Sequence, residues 1–182
     1  MSFEERLGLL VDREFTKRNS KRIKRLIHQA RFQNPEACVE NILYSADRKL
    51  DRSLVRELAS CQFIRSARNV TIFGATGAGK SYLGQALGQA ACRMGISTRY
   101  MQLPDFLEEL RMAEEQGWEK LAKKRKLYTN VDLLLLDEWL LFKIDETDCQ
   151  NLLKIIDRRV GCVWQNRNQP VRKLRIQPVG KE

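Results

Sequence analysis

Histidine is almost missing from this chain: His28 is the only one in 182 residues. No cysteine or second histidine stands at ligand spacing from it, so an imidazole-based metal centre is not expected and His28 reads as a packing or surface residue. The five cysteines, Cys38, Cys61, Cys92, Cys149 and Cys162, are odd in number and never form a Cys-x-x-Cys pair. That excludes a disulfide framework and a zinc ribbon, and leaves them as small buried hydrophobes in a reducing compartment. With 4 prolines and 10 glycines the chain is neither fibrous nor low-complexity. Trp118, Trp139 and Trp164 lie outside any aromatic and basic cluster, so they read as core or interface residues and not as base-stacking platforms. Apolar runs are short, Leu133 to Leu136 being as long as any, and the first thirty residues lack the apolar core of an export signal. A cytoplasmic protein with no membrane partner is expected.

What is present is a globular composition, 43% hydrophobic and 31% charged, in a length that suits one domain with a small appendage. Lys and Arg number 33 against 23 acids, a net charge of +10 that attracts polyanions, nucleic acid above all. The positive charge is concentrated early. Ile23, Leu26, Ile27 and Ala30 recur at helical spacing, and a run of cations around them makes an amphipathic helix with an almost wholly cationic polar face. Lys17, Lys21, Arg22, Lys24 and Arg25 are its candidate DNA contacts. An earlier stripe, Phe3, Leu7, Leu10 and Val11, predicts a first helix, with Asn19 and Ser20 as the separation.

Asn34-Pro35 interrupts the pattern and opens a connector to Lys49. Asp51 is positioned to cap a helix through Arg65. Asn69 to Phe73 predicts a strand ending at Gly74, followed by a helix from Lys80 that Gly95 closes. Ser97 to Leu103 reads as a second strand, Pro104 opens a helical region, and two helical pieces meet near Gly117. The run Lys120, Lys123, Lys124, Arg125, Lys126 reads as a solvated face. Val131 to Leu136 predicts an apolar strand covered on both faces. Asp145 to Arg159 predicts a last helix with Leu152, Leu153, Ile155 and Ile156 inward, and no sustained periodicity follows.

Two segments carry chemistry. Gly74-Ala75-Thr76-Gly77-Ala78-Gly79-Lys80-Ser81 follows the phosphate-loop pattern, in which successive backbone N–H groups wrap phosphate oxygens and glycines permit the close approach. Lys80 would reach the β and γ phosphates and the Ser81 hydroxyl would ligate Mg2+. Leu133 to Leu136 would deliver Asp137 to the same edge to hold the metal, and Glu138 would orient and deprotonate the attacking water. The residues alone therefore imply ATP and Mg2+.

At this point the sequence resembles the IstB-like ATP-binding proteins of bacterial insertion sequences, relatives of the DnaC helicase loaders within the AAA+ ATPases. The resemblance rests on Met1 to Leu7, Leu50 to Arg56, the phosphate loop, Leu133 to Trp139, and Asp157-Arg158-Arg159. It implies a P-loop α/β fold, a parallel sheet with helices on both faces, preceded by a small basic helical region. It also implies a homo-oligomeric helper ATPase that binds DNA and assists the transposase of its element. Domains are expected at 1–49 (basic helical), 50–164 (ATPase core, incomplete) and 165–182 (irregular basic tail). Past Arg159 the sequence departs from the family, which continues with a sensor strand, an arginine finger and a small helical segment. The expectation is a C-terminal truncation with impaired hydrolysis, Val160 to Trp164 being the candidate for the strand between the two ATPase strands. A helicase-loader ATPase and a non-catalytic nucleotide-binding remnant remain the alternatives. A small P-loop kinase is disfavoured by Glu138 and the basic helix.

Overall fold

The computed structural model describes residues 2–44, 50–139, 144–161 and 172–176, with the side chains of 160, 161 and 172–176 excepted. It opens on one uninterrupted helix, α1 (Phe3–Ala30). Ser2 accepts from the Glu5 backbone N–H while the Glu5 carboxylate accepts from the Ser2 N–H, which satisfies two donors that the first turn leaves orphaned. Arg31 ends the helix in the left-handed region at φ 56°. The expected separation at Asn19 and Ser20 does not occur. Neither residue removes a backbone donor as proline would, and each costs only about 0.5 kcal/mol relative to alanine inside a helix.

The two halves of α1 differ. Phe3, Leu7, Leu10, Val11 and Phe15 are all exposed, whereas Leu26 and Ala30 are buried against Cys92 with Ile27 and Phe32 beside them. A connector with one 3₁₀ turn, Val39–Asn41, then leads to α2 (Arg52–Ala59), capped by Asp51, which accepts from the N–H groups of Ser53 and Leu54. The helix expected to reach Arg65 instead breaks at Cys61 (φ 57°) and resumes as α3 (Gln62–Arg65). The break buries Cys61 itself while Arg68 N–H and Ala67 N–H fold back onto Phe63 and Ile64.

The core is β1 (Val70–Gly74), α4 (Lys80–Arg93), β2 (Thr98–Gln102), α5 (Leu103–Glu115), α6 (Trp118–Asn130), β3 (Leu133–Asp137) and α7 (Glu146–Gly161). A fourth strand, β4 (Arg172–Ile176), lies in the stretch expected to be irregular. Two parallel ladders result: β1 with β4, Val70 opposite Arg172, and β2 with β3, Thr98 opposite Leu133. Among the described residues no ladder joins the two pairs. The strand beside β1 is therefore not Val160 to Trp164: Val160 and Gly161 end α7, and 162–164 lie outside the described residues.

Strand β3 shows why the fold has helices on both faces. Its side chains alternate: Leu133 and Leu135 pack with Ala91, Cys61 and Ile96 on the α4 side, Leu134 and Leu136 with the α5, α6 and α7 cluster around Phe106, Tyr128 and Ile155. Leu153, expected inward, is 56% exposed; of the four residues expected inward, Leu152 and Ile155 are buried, and Asp148 and Asn151 of α7 are buried with them. Cys149 is exposed, contrary to the buried expectation, while burial pushes the Cys61 and Cys92 thiols up. Trp118, expected in a core or interface, is 78% exposed, and Trp139 is also exposed. No helix among the described residues is long and apolar enough to cross a membrane.

Candidate nucleotide site

The loop from Gly74 to Ser81 joins the end of β1 to the start of α4. Its backbone needs glycine at two places: Gly77 has φ +78° and Gly79 has φ +84°, conformations that a side chain strains. At Gly77 nothing lies within 4 Å of where a Cβ would stand, so the loop borders open space. Gly79 is the N-cap of α4 and offers no side chain to its first turn, which leaves those N–H groups and the positive end of the helix dipole open to an anion. Ala78 N–H donates to Ala75 O at 3.2 Å and closes the loop on itself. The Lys80 ammonium folds back across it, Nζ donating to Ala75 O at 2.8 Å, and Ser81 is exposed.

Beside the loop is a cavity of about 240 Å³ lined by Asn41, Ile42 and Leu50 of the connector and by Gly79, Tyr82 and Leu83 of α4. Gly79 belongs to both cavity and loop. This cavity has no sequence signal of its own, because connector and α4 meet only in the fold. Tyr82 fixes the meeting, its hydroxyl accepting from Cys38 N–H at 3.2 Å, and Gln85 accepts from Asn34 N–H at 2.6 Å.

The acidic half sits at the end of β3. Asp137 and Glu138 are both half-buried, and each carboxylate has a partner on β2. The Tyr100 hydroxyl lies 3.0 Å from Asp137 Oδ2, and Gln102 Nε2 donates to Glu138 Oε1 at 2.8 Å. Glu138 N–H donates to Asp137 Oδ1 at 2.9 Å, and Glu138 itself is held at φ 55°. Burial first, then the neighbouring Asp137, pushes the Tyr100 hydroxyl well above its ordinary pKa, so it stays protonated and able to donate. Tyr100 and Gln102 are site residues that the sequence reading did not name. The signal available was positional only: they alternate along a strand that neighbours the acidic one.

Helix α4, which starts at the loop, packs on β1, β2 and β3. A Cβ on Gly88 would stand 2.7 Å from both Leu135 Cδ1 and the Phe32 ring, so a mid-helix glycine is what lets α4 approach β3 and the end of α1. Among the described residues no cluster of three or more His, Cys, Asp or Glu side chains forms a ready-made metal cage. Magnesium needs none when one carboxylate and one hydroxyl share it with nucleotide phosphates. Asp137 and Ser81 carry hard oxygens of the kind that could hold such an ion.

The cationic candidates all lie on α1 and are exposed. Lys17, Lys21, Lys24 and Arg25 recur at three- and four-residue spacing opposite the inward residues Leu26, Ile27 and Ala30, so they share one face. Arg22 points to the side, Nη2 donating to Gly95 O at 3.2 Å. The run expected as a solvated face on α6 is only partly so. Lys124 Nζ pairs with Glu109 at 2.6 Å, and Arg125 bonds Asn151 on α7.

The family described as IstB-like ATP binding protein matches residues 1–163. The chain is 41% identical over 161 residues to a Pseudomonas fluorescens protein named for ATP binding in insertion sequence IS1162, covering 88% of this chain and 69% of that one. It is 38% identical to an insertion-sequence protein of Sinorhizobium fredii, also named for ATP binding, of which it spans 64%. The fold is similar to AMPPCP-bound DnaA from Aquifex aeolicus (TM-score 0.62, 23% identity, 82% of this chain and 43% of that one). It is also similar to the DnaC helicase loader (TM-score 0.55, 18% identity, 80% and 79%). These likenesses bear on the fold alone, an α/β architecture with parallel strands and helices on both faces.

Proposed function

The chain belongs to the IstB-like ATP-binding proteins of insertion sequences, and on that premise we propose that it binds ATP with magnesium and DNA, as a helper of its element's transposase. The observation that carries the reading is the shared glycine: Gly79 lines the cavity and ends the phosphate loop, so one nucleotide can set its base against Ile42, Leu50 and Tyr82 while its phosphates meet the loop. In this reading the N–H groups between Ala75 and Ser81, that of Ala78 excepted, cradle the phosphates, and Lys80 leaves Ala75 O for the β and γ oxygens. Ser81 and Asp137 hold magnesium, which supplies charge neutralisation at the phosphates, and Glu138 orients water. DNA lies along the α1 face formed by Lys17, Lys21, Lys24 and Arg25, with Arg22 at its flank. In this reading the full-length protein works as a homo-oligomer.

A second reading, nucleotide binding without turnover, has the contact of Glu138 in its favour: Gln102 Nε2 donates to Oε1 and holds the carboxylate toward β2, so orienting water would fall to the remaining acceptor sites. Steady-state hydrolysis with and without DNA separates the two: turnover that rises with DNA supports the helper ATPase, binding with no turnover the second reading.

The DNA assignment has its own test. Binding measured across salt concentrations is expected to give a steep log–log slope, and replacing Lys17, Lys21, Arg22, Lys24 and Arg25 together by Gln to flatten it by about 3 to 5. An unmoved slope would show that α1 does not carry the contact.

A further inference from the structure

The Tyr100 hydroxyl has two polar neighbours that belong to different parts of the chain. One is Asp137 Oδ2 at 3.0 Å, the carboxylate assigned to magnesium; the other is the Gln33 side-chain amide, Oε1 at 3.1 Å, just beyond the end of α1. A phenol has one proton to give. Asp137 as a carboxylate can only accept, so the proton points to Asp137. Gln33 then completes the pair by turning its amide to present nitrogen to the oxygen lone pair.

The geometry around the ring makes this joint stiff. Tyr100 is 4% exposed, Phe32 lies with its ring 6.4 Å away, and the neighbouring Arg99 donates Nη1 to Gln29 O at 3.2 Å. The end of α1 is thus tied to β2 at two consecutive strand residues. Asp137 in turn takes one donor on each oxygen, Tyr100 on Oδ2 and Glu138 N–H on Oδ1, which fixes the carboxylate plane and leaves a lone pair on each oxygen.

We propose that Tyr100 is a positioning residue for Asp137, and that through Gln33 it makes the aim of that carboxylate depend on where the end of α1 lies. The proposal rests on the assignment of Asp137 to magnesium made above. It is one link longer, because it predicts that a residue outside the ATPase motifs, on the connector after the basic helix, alters metal affinity.

The experiment uses the full 182-residue chain. A fluorescent ATP analogue reports binding, first in chelator and then along a magnesium titration. Tyr100→Phe keeps the buried ring and removes only the hydroxyl. It is expected to raise the magnesium concentration at half-effect about 10-fold, the usual cost of losing a partner that orients a metal ligand. Metal-free binding should stay within about twofold of wild type, which a collapsed site could not do. Gln33→Ala, at an exposed position, is expected to shift the magnesium midpoint in the same direction by a smaller factor. Placed on top of Tyr100→Phe it should add nothing, since its effect passes through the hydroxyl. A wild type that binds with magnesium while Tyr100→Phe titrates identically overturns the proposal and leaves the nucleotide reading standing. A Gln33→Ala shift that persists in the Tyr100→Phe background overturns the link to α1. A wild type that binds no nucleotide removes both.

Discussion

The phosphate side of this molecule and its acidic side are built by opposite means. Around the loop the groups proposed to act are backbone N–H donors, the two positive-φ glycines make room for them, and the loop from Gly74 to Gly77 is exposed. Around Asp137 and Glu138 the working groups are side chains held by other side chains, and the support extends through the layer beneath. Phe106 and Tyr128 pack ring to ring at 4.7 Å; Tyr128 and Lys124 both reach Glu109; Arg111 pairs with the buried Asp148. A site made of backbone needs only a local sequence that folds one way. A site made of carboxylates needs distant partners, because an unassisted buried charge is costly and a mobile one cannot hold a metal.

Loss of Lys80 should break the phosphate side most severely. It is the loop's one mobile charge, and Lys80→Ala is expected to weaken binding of a fluorescent ATP analogue by about 100-fold, the worth of a strong charge-assisted contact. The urea midpoint should hardly change, because Lys80 contributes only the bond to Ala75 O. Unchanged nucleotide affinity would mean that the loop is only a turn.

The acidic side should break by loss of stability instead. Arg159 on α7 reaches across to where α6 turns into β3, Nη1 donating to Tyr128 O at 2.8 Å and Val131 O at 2.6 Å and Nη2 to Asp132 O at 3.1 Å. It caps carbonyls that the end of a helix leaves orphaned. Arg159→Ala is expected to lower unfolding stability by about 1 to 3 kcal/mol with an unchanged m-value, and Arg159→Lys to recover only part, since one ammonium cannot span the same carbonyls. A variant as stable as wild type would show that these carbonyls find water at no cost.

The same contrast explains what the sequence disclosed. The loop was legible because its chemistry lies in eight consecutive residues, and the Leu133–Asp137 strand because its apolar run announces two covered faces. Asp51 as a cap and Gly95 as a stop were legible for the same local reason. Tyr100 and Gln102 were not, since a tyrosine and a glutamine on a strand carry no pattern until the strand is paired with the acidic one. The break at Cys61 escaped because it uses no glycine or proline, and the α1 break failed to appear because Asn19 and Ser20 are poor helix formers without being helix breakers. The β4 strand lay where periodicity gave nothing to read, since a five-residue segment rich in cations resembles a tail until β1 accepts it as a neighbour.

The smallest expected effect sharpens the comparison by pH. Glu109 sits between α5 and α6, 2.6 Å from Lys124 Nζ, hydrogen-bonded by the Tyr128 hydroxyl and 4.0 Å from Arg31 Nη1. Burial works to raise its pKa, but the bonds from Lys124 and Tyr128 outweigh it and the net shift is downward. A carboxylate whose folded pKa lies below its unfolded value stabilises the fold fully above the unfolded value, and that contribution is lost as pH falls through the folded one. Glu109→Gln abolishes the titration while keeping the shape. Wild type is therefore expected to lose more stability than Glu109→Gln between about pH 7 and pH 3.5, with the gap opening only below the ordinary carboxylate range. Urea midpoints at the two pH values measure it. Nucleotide affinity at pH 7 should be equal in both chains, because Glu109 supports the helical layer and touches neither loop nor acids. Parallel acid limbs would show that the Lys124 and Tyr128 contacts do not favour the ionised form, and that the acidic side's network is held by shape alone.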